Sequence, residues 1–216
     1  LKIISGRFRG RKLSSPTTLE VRPMLISMRE MLFNILESMK MLKGSKILDA
    51  FAGTGSLGIE AISRGAQEVV FVEQNLTILK FLKTNIQKLD VQNVSRVLEG
   101  PLFALIPEVI ELAPFDIIFL DPPFKVFDPT TSPPTKVFDE PDRKTFIKNI
   151  TQLLNKERLL ADSALMFVHH HKKDEPPLFP AMLKHKTRIN GINALTTYRK
   201  GFDNQKEIEA NNNETF

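Results

Sequence analysis

Three acidic positions, one glycine turn and one Asp-Pro-Pro-Phe run carry the chemistry this chain can offer. Asp49 stands four residues before Gly53 in Ile47-Leu48-Asp49-Ala50-Phe51-Ala52-Gly53-Thr54-Gly55-Ser56-Leu57-Gly58. The glycines satisfy G-x-G-x-x-G, a permissive pattern that alone suggests a dinucleotide fold or a plain strand–turn–helix. Asp49 shifts that reading. A carboxylate beside the turn suits a cationic ligand better than a pyrophosphate, and S-adenosylmethionine carries a sulfonium and an ammonium. Glu73 follows 20 residues after Gly53, where a carboxylate can accept both ribose hydroxyl protons in either cofactor class.

The run Phe115-Asp116-Ile117-Ile118-Phe119-Leu120-Asp121-Pro122-Pro123-Phe124 is the most specific stretch. An exocyclic base amine is a poor nucleophile, because its lone pair is delocalised into the ring. Asp121 and a main-chain carbonyl, that of Pro122, can accept both amino hydrogens and turn the lone pair toward a methyl donor. Pro122 and Pro123 stiffen the turn and remove competing backbone donors. Phe124 offers a flat face on which an unstacked base can lie. In isolation the run reads equally as a rigid turn with Asp121 as a cap. Behind a matching cofactor turn it predicts amine methylation.

These residues need strand ends to hold them, and the pattern supplies them. Strands are expected at Lys46–Phe51, Glu68–Glu73, Val94–Leu98, Phe115–Leu120 and Ala164–His169. Helices are expected at Ser56–Arg64, Leu76–Leu89, Leu102–Leu112 and Arg143–Leu154, and a strand pair around Asn190-Gly191 closes the chain. Such alternation predicts an α/β, Rossmann-like, mostly parallel sheet with helices on both faces. Ligands then sit at the carboxyl ends of the strands. Ahead of it, Met24–Met41 has helical spacing after Pro23, and Lys2–Ser5 and Lys12–Ser14 flank the basic loop Gly6-Arg7-Phe8-Arg9-Gly10-Arg11.

Net charge is +5, and residues 1–46 hold ten Lys and Arg against three Glu. A basic end fits a polyanionic partner or a solvated basic face. The absence of cysteine excludes disulfides and thiolate metal sites. No apolar run approaches the roughly 20 residues of a membrane helix, and the first residues lack a signal peptide's apolar stretch. A cytoplasmic monomer with no membrane and no metal is expected. His169-His170-His171 reads as a solvated strand end, since successive strand residues point to opposite faces.

The combination Asp-x-x-x-Gly-x-Gly with Asp-Pro-Pro-Phe resembles the class I amino-methyltransferases. Ile3-Ile4-Ser5-Gly6-Arg7-Phe8-Arg9-Gly10-Arg11-Lys12-Leu13, Arg22-Pro23 and Arg29-Glu30-Met31-Leu32-Phe33-Asn34 narrow this to a resemblance to the bacterial RsmD family. Leu48 through Ala61 and Gly191 through Arg199 are also similar to it. The resemblance implies a seven-stranded class I methyltransferase fold and S-adenosyl-L-methionine as cofactor. It implies methylation of a guanine N2 in 16S ribosomal RNA, free or in the small ribosomal subunit. Asp49, Phe51, Ala52, Gly53, Thr54, Gly55, Glu73 and Gln74 would hold the cofactor. Asp121, Pro122, Pro123 and Phe124 would hold the base. Arg7, Arg9, Arg11, Lys12, Arg22 and Arg29 would face RNA, by phosphate contacts that position without specifying. Where the family shows Thr-Thr-Asp-Arg, this chain has Met24-Leu25-Ile26-Ser27. Glu99-Gly100-Pro101 replaces an Asn or Asp, so adenine recognition would rest on Glu99 or backbone. Residues 1–42 are expected as an RNA-facing extension, 43–202 as the methyltransferase domain and 203–216 as a disordered tail. The stretch 125–142 is expected as a lid or specificity loop.

Overall fold

The computed structural model describes residues 1–16, 24–122 and 143–201. Arg22, Pro23, Pro123, Phe124, the stretch 125–142 and the tail 203–216 lie outside the described residues.

Alternating apolar runs form the strands β1 (Lys46–Asp49), β2 (Glu68–Glu73), β3 (Ser95–Glu99), β4 (Phe115–Leu120), β5 (Leu160–His171), β6 (Met182–Asn190) and β7 (Asn193–Lys200). Between them run α2 (Ser56–Ser63), α3 (Leu76–Lys88), α4 (Ile106–Glu111) and α5 (Arg143–Leu154), and α1 (Ile26–Ser38) precedes them. The strands form one sheet in the order β3-β2-β1-β4-β5-β7-β6. β3, β2, β1, β4 and β5 pair in parallel, and β7 runs antiparallel between β5 and β6. Chain order reverses between β1 and β4, the switch point beside which open sheets of this kind bind their ligands.

The central strands are buried on both faces, so they read as continuous apolar runs. Ile47, Val69, Phe71, Ile117, Phe119, Leu165 and Phe167 point into one core layer, with Met28, Leu32, Phe33 and Leu36 of α1 and residues of α2 and α3. Leu48, Val70, Ile118, Leu120, Met166 and Val168 point into the other, against Phe146, Ile150 and Leu153 of α5. Phe33 meets Phe119 edge to face at 6.0 Å.

The first residues share this core. Ile3 and Leu13 are buried in the same layer as α1. Lys2 and Lys12 form an antiparallel bridge. The backbone N–H groups of Ile4 and Ser5 donate to Glu60 of α2 at 2.7 and 2.9 Å. Arg7 N–H donates to the Ser63 carbonyl at 2.8 Å. Asn85 of α3 accepts from Ser14 N–H and donates to the Ser14 and Thr54 carbonyls. One buried amide therefore ties the N-terminal ribbon to the glycine turn.

The expected helix over Leu102–Leu112 is divided into a 3-10 turn, Leu102–Ala104, and α4. Pro107, in the first turn of α4, has no N–H to continue the earlier ladder. β5 runs two residues beyond the expected His169, because β7 pairs with it as far as His171.

Candidate active site

Strand parity assembles the site. On β1, β2, β4 and β5 the odd-numbered residues face the layer of α1, α2 and α3. Side chains alternate along a strand, so Asp49, Glu73, Asp121 and His169 reach the carboxyl edge on one face. Register agrees: Asp49 pairs with both Phe71 and Phe119, two residues before Glu73 and Asp121. Leu120 pairs with Val168, which sets Asp121 beside His169.

Asp49 is 1% exposed. Its Oδ2 accepts from Gly58 N–H at 3.0 Å, whereas its Oδ1 is buried with no hydrogen-bond partner. Burial, helped by the nearby charges of Asp121 and Glu73, pushes its pKa up to about 7 against the Gly58 bond. A buried carboxylate oxygen without a donor favours a cation in front of it. Gly53 and Gly55 hold positive φ, 55° and 86°, and a Cβ on Gly53 would meet nothing within 4 Å. Gly58 serves packing instead: a Cβ there would stand 2.2 Å from the Phe71 ring. Glu73 accepts from Gly53 N–H and Asn75 N–H, both at 2.8 Å. Burial raises its pKa, and those backbone donors, with Gln74, oppose the rise. A carboxylate has about four acceptor sites, so Glu73 retains capacity for hydroxyl donors. Phe51 is half-buried against Phe146, ring centroids 5.8 Å apart. Ala52 and Thr54 are buried, and Gln74 is half-buried beside Glu73.

Asp121 is partly exposed at the end of β4 and Pro122 is buried behind it. Asp121 Oδ1 stands 2.6 Å from His169 Nδ1. His169 Nε2 is 3.1 Å from Asn193 Oδ1. The run of three histidines is therefore not a solvated end: His169 and His170 are 4% and 1% exposed. β7 pairs alongside β5 as far as His171, and the two side chains point to opposite faces, His170 bonding Thr196 Oγ1 at 2.8 Å. Among the described residues no group of His, Cys, Asp and Glu is arranged to hold a metal. His169 and Asn193 are site residues that sequence reasoning missed. Counting two residues beyond Phe119 and Phe167 on one face would have found His169.

Glu99 lies beside Glu73 in register, but its exposed carboxylate is held by Lys83 of α3 at 2.5 Å. Arg7, Arg9, Arg11 and Lys12 are exposed on the ribbon. The ribbon's turn docks at Ser63, the far end of α2 from the glycine turn. Arg29 corrects an expectation. It is 0% exposed, and its Nη2 donates to the Lys2 carbonyl at 2.5 Å, so it does not face RNA. Positions 29, 32, 33 and 36 share the buried face of α1. Burial lowers the Arg29 pKa against the attraction of Glu60.

A seven-stranded sheet in this order, with a glycine turn after β1 and carboxylates at the ends of β1, β2 and β4, defines a class I methyltransferase fold. The solved structure of the Escherichia coli protein yhhF, assigned as a methyltransferase, superposes with a TM-score of 0.72 at 28% identity, over 93% of this chain and 97% of that one. The chain belongs to the family described as conserved hypothetical protein 95, whose model matches residues 1–199, and its relatives are those of the RsmD resemblance. "Ribosomal RNA small subunit methyltransferase D" of Haemophilus influenzae is 33% identical over 203 residues, covering 92% of this chain and 93% of the relative. The Escherichia coli protein of that name is 29% identical over 210 residues, covering 97% and 94%.

Proposed function

We propose that this chain transfers a methyl group from S-adenosyl-L-methionine to the exocyclic N2 amine of a guanine in 16S ribosomal RNA. The observation that carries methyl transfer is the buried, unpartnered Asp49 Oδ1 on the same edge and face as Asp121. The residues present fit the cofactor. Asp49 Oδ1 lacks a donor that an ammonium would supply, and Gly53 leaves open space where a side chain would stand. When bound, the cofactor supplies a methyl group activated by positively charged sulfur.

The protein's own residues do the rest. Asp49 accepts from the cationic end of the cofactor, and Glu73 accepts from ribose hydroxyls. Among the described residues nothing hydrogen-bonds Asp121 Oδ2, which is left to accept one amino hydrogen. The Pro122 carbonyl accepts the other. Holding both hydrogens orients the nitrogen lone pair for in-line attack, and orientation supplies much of the rate. Asp121 then takes the proton that the methylated nitrogen sheds and passes it to water. The exposed ribbon arginines bind phosphate. The choice of guanine N2 and of 16S RNA rests on the family resemblance and on the relatives' names.

The test incubates the full chain with methyl-labelled cofactor and small-subunit particles lacking the modification. Label in the RNA is the expected result. Label in duplex DNA alone would replace this reading with a DNA adenine-N6 or cytosine-N4 methyltransferase. No binding of S-adenosylhomocysteine at about millimolar concentration, an affinity weaker than about −4 kcal/mol, would replace it with a non-catalytic RNA-binding protein.

A further inference from the structure

His169 belongs to neither sequence motif, yet it touches the residue on which the proposed chemistry turns. Its Nδ1 lies 2.6 Å from Asp121 Oδ1 and its Nε2 lies 3.1 Å from Asn193 Oδ1. The Asn193 amide is oriented by its own nitrogen, which donates to the Asn190 carbonyl at 3.4 Å. Both imidazole nitrogens therefore face oxygen acceptors. A neutral imidazole carries one N–H and can satisfy one of them; an imidazolium donates to both. The fold arranges this contact. His169 follows Val168, the register partner of Leu120, and Asn193 opens β7 opposite His171. The His169 side chain is 5% exposed and that of Asp121 22%, so the imidazole approaches the carboxylate from the protein side.

We propose that His169 is a positioning residue for methyl transfer: as an imidazolium steadied by Asn193, it clamps Oδ1 of Asp121 and thereby aims Oδ2 at the target amine. This rests on the reading of Asp121 as the acceptor for a base amine. Burial pulls the imidazolium toward deprotonation, but the hydrogen bond and charge of Asp121, with the Asn193 contact, outweigh it and raise the His169 pKa. The clamp has two effects. It removes carboxylate rotation, where an acceptor must be set within about 10–20° of its productive direction. It also offsets one of three carboxylates, Asp49, Glu73 and Asp121, that share the edge, without removing the acceptor. Both effects act when the amine is reshaped for attack, so loss of the clamp falls on kcat rather than KM.

The test has a spectroscopic and a kinetic arm, on the full chain. In the first, nitrogen-15 NMR of the histidines at neutral pH, assigned with His169→Asn, reads the protonation of the ring. Two equivalent, protonated ring nitrogens at His169 are expected. One protonated and one bare nitrogen near pH 7, where an unperturbed imidazole of pKa about 6.5 is mostly neutral, would overturn the clamp, whatever the enzyme does. In the second arm, His169→Ala should lower kcat by about 10- to 100-fold, with KM and S-adenosylhomocysteine affinity within about threefold of the parent. His169→Asn places an amide N–H near the site of Nδ1 and should recover much of the loss. It also serves where the alanine variant melts early. Unchanged kcat in both variants, with wild-type transfer intact, would overturn the positioning role and leave the proposed function standing. Absence of transfer by the wild-type protein on every nucleic-acid substrate would overturn the proposed function and the positioning role together.

Discussion

Asp49→Asn separates what the carboxylate does for a ligand from what its burial costs the fold. Burial lifts this group from 3.8 to about 7, so folding takes up a proton there between those values. The sign follows from linkage. A carboxyl with a raised folded pKa imposes no penalty below its unfolded pKa, and the penalty grows as pH rises toward the folded pKa. At about 1.4 kcal/mol per unit, the full penalty above pH 7 is about 4 kcal/mol. Asparagine keeps an oxygen for Gly58 N–H and carries no charge. It also sets an amide nitrogen where the unpartnered Oδ1 stands, at a cost of about 1–3 kcal/mol that does not vary with pH. Between about pH 5 and about pH 8 the variant should therefore gain about 2–3 kcal/mol relative to the parent. For a chain of this size that moves the Tm difference by about 4–12 °C. Thermal unfolding of both proteins without ligand, at the two pH values, measures it. An identical Tm offset at both would refute the reasoning that Asp49 is a buried, uncompensated carboxylate. The same variant should lose S-adenosylhomocysteine affinity by at least about tenfold, since a charge-assisted hydrogen bond is replaced by none.

The other predictions concern particular contacts. Asp121→Ala should abolish methyl transfer while calorimetry with S-adenosylhomocysteine still shows binding. Glu60→Ala should destabilise the fold by about 3–5 kcal/mol in denaturant unfolding, because it strips Arg64 of a buried partner and leaves the Ile4 and Ser5 N–H groups unpaired. Gly58→Ala should cost about 1–3 kcal/mol by the same measurement, since the added carbon collides with the fully buried Phe71. Arg9→Gln should reduce the salt dependence of RNA binding by roughly 0.7–0.9 in log–log slope. Arg29→Met should leave that slope unchanged, because Arg29 is buried.

The legible parts of this molecule are those whose signal is local. The glycine turn, Asp49 and Asp121 stand at strand ends that apolar runs mark on their own, and β4 and α5 have the expected bounds. The class I fold follows from the same alternation, now carried by the sheet order and by the match to yhhF. The face of His169 was readable from Phe167, two residues earlier, but its burial was not, because that depends on β7 reaching His171, a pairing between distant segments. Without that register, three histidines in a row look like a wet strand end. Arg29 misled for another reason. The family resemblance set it facing RNA, but its spacing from Leu32, Phe33 and Leu36 placed it on the apolar face of α1, where the Lys2 carbonyl accepts from its Nη2 and Glu60 attracts its charge. The division of Leu102–Leu112 was readable from Pro107.

The most direct test of the central claim identifies the methylated atom. Small-subunit particles lacking the modification, methylated by this chain, would be digested to nucleosides and analysed by mass spectrometry against standards. N2-methylguanosine is the expected product, absent when Asp121→Ala replaces the parent. Methyl on a ring nitrogen, on a ribose hydroxyl or on an adenine amine, or no methylated nucleoside at all, would contradict it.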